Sequence, residues 1–384
     1  MRGWTISKLS ARLHAGTVTS EELVAGYIQR AKATSVQSAY VFLDGEGALA
    51  SARASDERRK NGIPIGALDG IPFAIEDRFC VRNMPTENGC RMLEGYRPLC
   101  DAEIVNRLRA EGAILLGKLA TDGFLAGSAS TKRMGAVAKA VATGEIPFAI
   151  CADTGGSAFC EGEASVIVSR YSDQLVDRSG LISVAPSFDG IVVMTQNAED
   201  AKLLFDVLIN PANVQIQSNE IHTPKVMDFD LSYFSLEKAR KSYRILSAVE
   251  TASEMALYDG IRFGASADKG RSIEERMYQT RGEFFSYDEK KTILLGTALL
   301  MDGRRKAYYF PARAHREEMR RMVGSLLECV DIIRFPLSEE TAFLPSYFGL
   351  SALASNGVLL MTDGERSRLL FDAVGLGEGG DANA

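Results

Sequence analysis

The sequence predicts an α/β fold, because segments with helical periodicity alternate with short apolar runs that are typical of buried strands. A helical pattern at residues 48–59 precedes the apolar run 70–75. The amphipathic segment 102–111 precedes the apolar run 113–118 in the same way. A further run, 146–151, follows residues 134–142, which are small and suit a closely packed helix. This alternation indicates a sheet with helices packed on it.

Two helices are predicted ahead of these strands. Ile6, Leu9 and Leu13 recur at helical spacing, and Gly16 ends the first helix. Thr19 and Glu22 have the spacing of a capping box, in which each side chain bonds the backbone amide of the other residue. The second helix is therefore predicted to begin directly after Thr19.

The second half of the chain is less regular. Residues 195–208 predict a capped helix, and residues 288–329 are largely helical. Residues 211–285 are polar and mixed, so no elements are predicted there. The Gly-rich residues 375–384 predict a disordered tail.

Composition argues against several classes of protein. The chain of 384 residues has a formal net charge of −6, which disfavours a large nucleic-acid footprint of its own. The first segment of the chain is polar and amphipathic. The whole chain contains no run of about 18 apolar residues. We therefore expect neither a signal peptide nor a membrane span, and a cytoplasmic location.

The six cysteines and three histidines do not follow a metal-binding pattern. Cys80, Cys90 and Cys100 are evenly spaced, but the gaps are too long for a knuckle-type zinc site. No histidine pair has ligand-like spacing, and none of the histidines lies near a nucleophile-like turn. We expect free thiols in a reducing compartment, and neither a metal nor a cofactor.

A basic run, R-A-H-R at residues 313–316, continues with Arg320 and Arg321. Such a run could contact RNA. Glu317, Glu318 and Glu328 are interleaved with it, so a solvated helix face is the favoured interpretation.

Several motifs follow one another in an order that is informative as a set. They are A-S-D-E-R at residues 54–58, L-D-G-I-P at 68–72, G-A-I-L-L-G-K at 112–118, D-T-G-G-S at 153–157, L-G-T at 295–297 and A-Y-Y at 307–309. Over most of the chain this order resembles the amidase-signature family, above all the A subunit of tRNA-dependent amidotransferases. The resemblance implies a single domain over residues 1–374, with a mixed, twisted central sheet covered by helices on both faces.

The resemblance also implies amide hydrolysis by a Ser–Ser–Lys triad. The nucleophilic serine ends the Gly-Gly-Ser turn, which places it at Ser157. A serine hydroxyl is a poor nucleophile without a base, and in the family a bridging serine and a desolvated, neutral lysine supply one. Backbone N–H groups of Thr154, Gly155 and Gly156 are the predicted oxyanion hole.

Two of the three triad positions differ from the family pattern. The lysine of the family's G-I-P-x-A-I-K-D is Glu76 in this chain, and the bridging serine aligns without gaps to Arg133. The arginine that holds free glutamine in the A subunit falls on Thr292, and the corresponding aspartate falls near Pro345. Asp153 and Thr292 are therefore the candidate substrate-binding positions, and the triad is predicted to be broken.

The replaced positions allow two interpretations. Glu76 and Arg133 have opposite charges where the family has two groups in contact, so we predict an ion pair across the former site, joined by Asp153. Alternatively, Glu76 is a new general base, which requires burial to raise its pKa. Ser157 is either a nucleophile or a small residue that the turn needs sterically, and the second interpretation is favoured without the rest of the triad. Lys118 is expected to be structural.

Three functional hypotheses follow. The favoured one is a non-catalytic amidase-fold subunit that binds an amidotransferase-type partner subunit, an active paralogue, or a small ligand in the former pocket. The second is an active hydrolase that uses Ser157 with Glu76. The third is true amidotransferase activity, which needs a free lysine beside Ser157.

Overall fold

The computed structural model describes residues 4–32, 39–121, 123–124, 132–160, 165–209, 223–233, 235–267 and 272–374. Its strands form one ten-stranded sheet in the order β1-β3-β2-β4-β6-β5-β9-β10-β8-β7. The strands are β1 (Tyr40–Leu43), β2 (Pro72–Glu76), β3 (Ile114–Leu119), β4 (Ala149–Asp153), β5 (Ile167–Tyr171), β6 (Gly190–Thr195), β7 (Val226–Asp228), β8 (Ile332–Pro336), β9 (Ser351–Ser355) and β10 (Val358–Thr362).

The sheet is mixed. Strand β2 runs parallel to both β3 and β4, and β7 runs parallel to β8. The other pairs are antiparallel, including β4 with β6 and β6 with β5. The predicted α/β class with a mixed central sheet is confirmed.

The described residues form thirteen helices, most of which cover the two faces of this sheet. They are α1 (Ile6–His14), α2 (Ser20–Lys32), α3 (Gly45–Lys60), α4 (Glu103–Ala110), α5 (Lys132–Ala142), α6 (Ser157–Cys160), α7 (Ala198–Leu208), α8 (Leu236–Glu254), α9 (Ile273–Phe284), α10 (Tyr287–Leu300), α11 (Phe310–Leu327), α12 (Leu344–Phe348) and α13 (Leu369–Ala373). A π-helical turn, Arg305–Tyr309, leads into α11.

Each face of the sheet has its own hydrophobic core. Adjacent residues of a strand point to opposite faces, and Ala74 and Ile75 of β2 accordingly belong to different buried clusters. The cluster of Ile75 packs α1 to α4, α7 and α13 against the sheet. The cluster of Ala74 packs α5, α6, α8, α11 and α12 on the other face.

Local signals in the sequence match local structure. The predicted capping box forms at the start of α2, where Thr19 N donates to Glu22 Oε2 at 2.9 Å and Glu22 N donates to Thr19 Oγ1 at 3.1 Å. Residues 211–285, for which nothing was predicted, contain β7, α8 and α9. The predicted tail, 375–384, lies outside the described residues.

Candidate active site

The predicted nucleophile turn connects β4 to the short helix α6. Strand β4 ends at Asp153, and α6 begins at Ser157. Gly156 between them has φ +91°, a backbone conformation that favours glycine. A Cβ at this position would also lie 2.4 Å from the carbonyl of Ala342, so the turn tolerates no side chain here.

Ser157 is partly exposed, whereas the next two residues of α6 are buried. Within the described part of the chain its hydroxyl has no hydrogen-bond partner. The structure therefore places the predicted nucleophile at an accessible position without a bonded base.

The carboxylate of Asp153 holds the turn in place. It accepts hydrogen bonds from Gly156 N at 2.8 Å and Ala158 N at 3.3 Å. The hydroxyl of Ser346, from α12, donates to it at 2.8 Å. Asp153 is fully buried, so its geometry is that of a residue that fixes the turn.

These bonds bear on the predicted oxyanion hole. The amide hydrogen of Gly156 is directed at Asp153, and the side chain and carbonyl of Thr154 are both bonded to neighbouring side chains. Among the described residues, the amides of Thr154, Gly155 and Ser157 have no hydrogen-bond partner. Of the three amides predicted for the oxyanion hole, those of Thr154 and Gly155 are therefore unbonded, whereas that of Gly156 is bonded to Asp153.

A buried ion pair lies behind the turn and was missed by sequence reasoning. Arg78 Nη2 lies 3.0 Å from Asp189 Oδ1, and both side chains are about 95% buried or more. Arg78 also donates to Thr154 Oγ1 at 3.1 Å, and Thr154 in turn donates to Asp189. Arg78 lies in the turn that follows β2, and no local pattern in the sequence indicated its partner.

The electrostatics of this pair favour its charged form. Burial alone would raise the pKa of the Asp189 carboxyl, but the charge of Arg78 and the hydrogen bonds from Thr154 and Val184 outweigh burial and lower it. The pKa of Arg78 is raised, since the attraction of Asp189 and Glu76 exceeds the effect of burial.

Glu76, which the sequence analysis aligns with the family's lysine, is 3% exposed at the end of β2. Its Oε2 atom accepts a hydrogen bond from Ala152 N in β4, with a distance of 2.6 Å. The adjacent negative charge contributes, after burial, to raising the pKa of the Cys151 thiol. Glu76 thus points toward the strand that carries the nucleophile turn.

Arg133, at the bridging-serine position, lies in the first turn of α5, a helix that packs against α6. Its side chain lies outside the described part of the structure. The predicted ion pair between Glu76 and Arg133 therefore stays a prediction.

Lys118 is the one buried lysine among the described residues. Its Nζ lies 3.2 Å from Asp77 Oδ1 and donates to Phe79 O at 2.6 Å and to Thr86 Oγ1 at 3.0 Å. Burial lowers its pKa, and Asp77 opposes that effect. Lys118 is paired in register with Ile75, whose side chain faces the core opposite to that of Glu76 and Ser157.

Of the two predicted substrate-binding positions, Asp153 is bonded to its own turn and to Ser346, and Thr292 lies on another element. Thr292 lies in α10, where its hydroxyl donates to the carbonyl of Asp288 one turn earlier. Pro345 lies in α12, next to Ser346, which does contact the turn through Asp153. Helix α12 therefore contacts the candidate site. The Thr292 hydroxyl, in contrast, is hydrogen-bonded within α10.

The basic run in α11 is not a uniformly solvated face. Arg313, Arg320 and Arg321 are exposed as expected, but His315 and Arg316 are buried. Arg316 donates to Ser187 O at 2.7 Å, and its guanidinium lies 3.9 Å over the ring of Phe188. Burial is the main cause that lowers the pKa of Arg316 to about 10. For these two residues the prediction was wrong, because the helix periodicity turns them toward α12.

The described ranges contain no group of three or more His, Cys, Asp or Glu residues that could hold a metal ion. No helix in the same ranges is both long and apolar enough to cross a bilayer.

Two features together define the class of this protein. One is a mixed sheet covered by helices on both faces, and the other is a Gly-Gly-Ser turn between a strand and a short helix. The sequence model of the Amidase family matches residues 22–137 and 224–365. The chain therefore belongs to the amidase-signature family. Ser157 and its turn lie in the stretch between the two matched segments.

Individual relatives agree with this assignment. The A subunit of the glutamyl-tRNA(Gln) amidotransferase of Chloroflexus aurantiacus is 31% identical over 407 residues, covering 88% of this chain and 82% of the relative. A crystal structure of an amidase superposes with a TM-score of 0.78 at 21% identity, covering 98% of this chain and 99% of the other. A structure described as a vestigial protein complex that reveals the origins of an s-triazine catabolic enzyme has a TM-score of 0.79 at 18% identity, covering 98% and 99%.

Proposed function

We propose that this protein is an amidase-signature subunit that does not hydrolyse amides through the family triad and acts by binding. The observation that carries the proposal is the hydrogen bond between Glu76 and Ala152 N, at 2.6 Å. In the family this position holds the lysine that receives the serine proton through the bridging serine. Here it holds an acceptor that is bonded to the backbone.

The remaining geometry supports the same conclusion. The buried Lys118 is bonded to Asp77, Phe79 and Thr86, on the other side of the sheet from Ser157. A free lysine beside Ser157, which true amidotransferase activity requires, is thus not supplied by Lys118. Loss of one triad member commonly reduces catalysis by several orders of magnitude.

The binding role is supported by the names of the relatives. The relatives at about 30% identity are A subunits of glutamyl-tRNA(Gln) amidotransferases, and one similar structure is described as a protein complex. The proposed partners are an amidotransferase-type subunit or an active paralogue, with a small ligand in the former pocket as the alternative. This would place the protein in the cytoplasm, close to translation.

The proposal is tested by intact-mass labelling with a fluorophosphonate probe, comparing wild type with Ser157→Ala. A known serine hydrolase serves as the control for the probe. We expect no labelling of either form, and no release of ammonia from glutamine or simple amides above that of Ser157→Ala. Stoichiometric labelling that disappears in Ser157→Ala would overturn the proposal.

A second candidate function is favoured by a specific observation. The Ser157 hydroxyl is partly exposed, and the amides of Gly155 and Ser157 have no partner in the described structure. An active amidase would use Ser157 as nucleophile and Glu76 as base. In that case Glu76→Gln, which keeps the size of the side chain, would abolish labelling in a folded protein.

A further inference from the structure

Helix α10 is apolar around most of its circumference. On its inner side it lies so close to α8 that a Cβ at Gly296 would be 2.1 Å from the carbonyl of Ala248. On its outer side Tyr287 and Leu294 are 78% and 71% exposed. We call Tyr287, Leu294, Leu295 and Met301 the α10 face.

The spacing of these residues makes them one surface. Tyr287, Leu294 and Met301 follow one another at intervals of seven residues, which places them in a single stripe along the helix. Leu295 and Met301 are 50% and 59% exposed. Lone exposed apolar side chains are ordinary, but a contiguous apolar stripe usually marks an interaction site.

The apolar surface continues past the end of α10. The π-helical turn Arg305–Tyr309 packs against α10, and Tyr308 in it is 53% exposed. A helix that is hydrophobic all round is normally buried. Since α8 packs on only one side of α10, we expect another surface to pack against the α10 face.

The charged residues at the two ends of the α10 face indicate which surface packs against it. Exposed acidic residues, Glu283 and Asp288, lie at the N-terminal end. Exposed basic residues, Arg304, Arg305 and Lys306, lie at the C-terminal end. None of these five forms an ion pair with another described residue.

Two exposed residues deviate from this polarity, and they also lie at opposite ends. Lys291 is in the first half of the helix, and Asp302 follows its C-terminus. An antiparallel contact between two identical faces would bring the acidic N-terminal end of one copy toward the basic C-terminal end of the other, although it would not pair Lys291 with Asp302. Such self-complementarity is what a twofold interface needs.

We infer that the α10 face is the interface between two copies of this chain, packed antiparallel about a twofold axis near Leu294 and Leu295. The helix has 14 residues and is about 21 Å long. Stable interfaces bury about 800 Å² per partner, so α10 needs the neighbouring π-helical turn to approach that size. A reversible dimer is expected, and it does not depend on whether Ser157 is active.

The test is sedimentation equilibrium of the full chain over concentrations from nanomolar to high micromolar. Wild type is expected to pass from monomer to dimer. Leu294→Glu should remain monomeric throughout, with unchanged circular dichroism and melting temperature. Ile63→Glu is the matched control, because Ile63 is 62% exposed and follows α3, which packs on the opposite face of the sheet from α8; it should dimerise like wild type.

A charge reversal tests the antiparallel arrangement. Arg305→Glu should weaken the dimer by about fivefold, and adding Asp288→Arg to the same chain should restore the wild-type constant. Failure of the double variant to recover would overturn the antiparallel packing. A wild-type chain that stays monomeric at every concentration would overturn the dimer itself. So would a Leu294→Glu chain that still dimerises.

Discussion

Ser346 donates its hydroxyl to the carboxylate of Asp153 at 2.8 Å, across 193 residues of sequence. This bond joins α12, near the C-terminal end of the described chain, to the turn that presents Ser157. Because Asp153 also accepts the amides of Gly156 and Ala158, one buried carboxylate determines where the turn lies.

Replacing Ser346 should therefore destabilise the turn that contains Asp153. Ser346→Ala removes a donor from a buried carboxylate, and we expect it to lower the free energy of unfolding by about 1–3 kcal/mol. Urea unfolding measures the change. Ser325→Ala, at an exposed position of α11, is the control and should be close to neutral. Equal effects of the two substitutions would contradict the role of the Asp153 bond.

The pair of Arg78 and Asp189 makes a second prediction. Arg78→Met leaves Asp189 buried without its counter-charge, which should cost about 3–5 kcal/mol. The double variant Arg78→Met/Asp189→Leu removes both charges and should lose clearly less than the sum of the single variants. Chemical unfolding of all four proteins gives the coupling. Additive losses would show that the two residues do not depend on each other.

Two glycine-to-alanine substitutions, at Gly156 and Gly303, distinguish the cost of backbone strain from the cost of a steric clash. Gly156→Ala introduces a left-handed alanine and a Cβ placed 2.4 Å from the Ala342 carbonyl, so we expect a loss of about 2–5 kcal/mol. Gly303 has a similar φ, +83°, with no atom within 4 Å of the Cβ. Gly303→Ala should lose only about 1–2 kcal/mol. Thermal or urea unfolding compares the two, and equal losses would exclude the clash.

His315 gives a pH-dependent prediction. Burial is the main cause that lowers its pKa below the ordinary 6.5, with Lys238 adding to the effect and Glu318 opposing it. The unfolded chain therefore binds this proton at higher pH than the folded protein does. The free energy of unfolding should fall as the pH drops through 6.5 toward the lower folded pKa.

The measurement is urea unfolding at a series of pH values on both sides of 6.5. His315→Gln should reduce the slope in this window, although it loses the contact of His315 Nδ1 with Tyr347 OH, at 2.9 Å. His14→Gln, on an exposed histidine of α1, is the control. A slope unchanged by His315→Gln would show that another group titrates there.

The sequence predicts those parts of this protein that depend on neighbouring residues. The apolar runs at 70–75, 113–118 and 146–151 coincide with β2, β3 and β4 to within a few residues, because turn residues bound them. The capping box at Thr19 is equally local. Strands β1 and β5 to β10 were not predicted, although Asn356 and Gly357, which connect β9 to β10 with positive φ, are a local hairpin signal.

The candidate site divides in the same way. The predicted nucleophile position of Ser157 and the predicted replacement of the family lysine by Glu76 both rest on one alignment of motifs. The partner of Arg78 is 111 residues away, and Asp153 is bound by a serine from another helix. Such partners follow from how the sheet and α12 are assembled, so no pattern around Arg78 or Asp153 could name them. The Glu76–Arg133 contact stays a prediction.

The way Asp153 holds its turn has an evolutionary consequence. A turn that stability alone maintains is kept by purifying selection whether or not it performs chemistry. D-T-G-G-S can therefore persist in a lineage long after its lysine has been lost, and Gly156 would be the last of its residues to drift. In this family, a survey of descent or activity should weigh the residue at position 76 more heavily than the serine at 157.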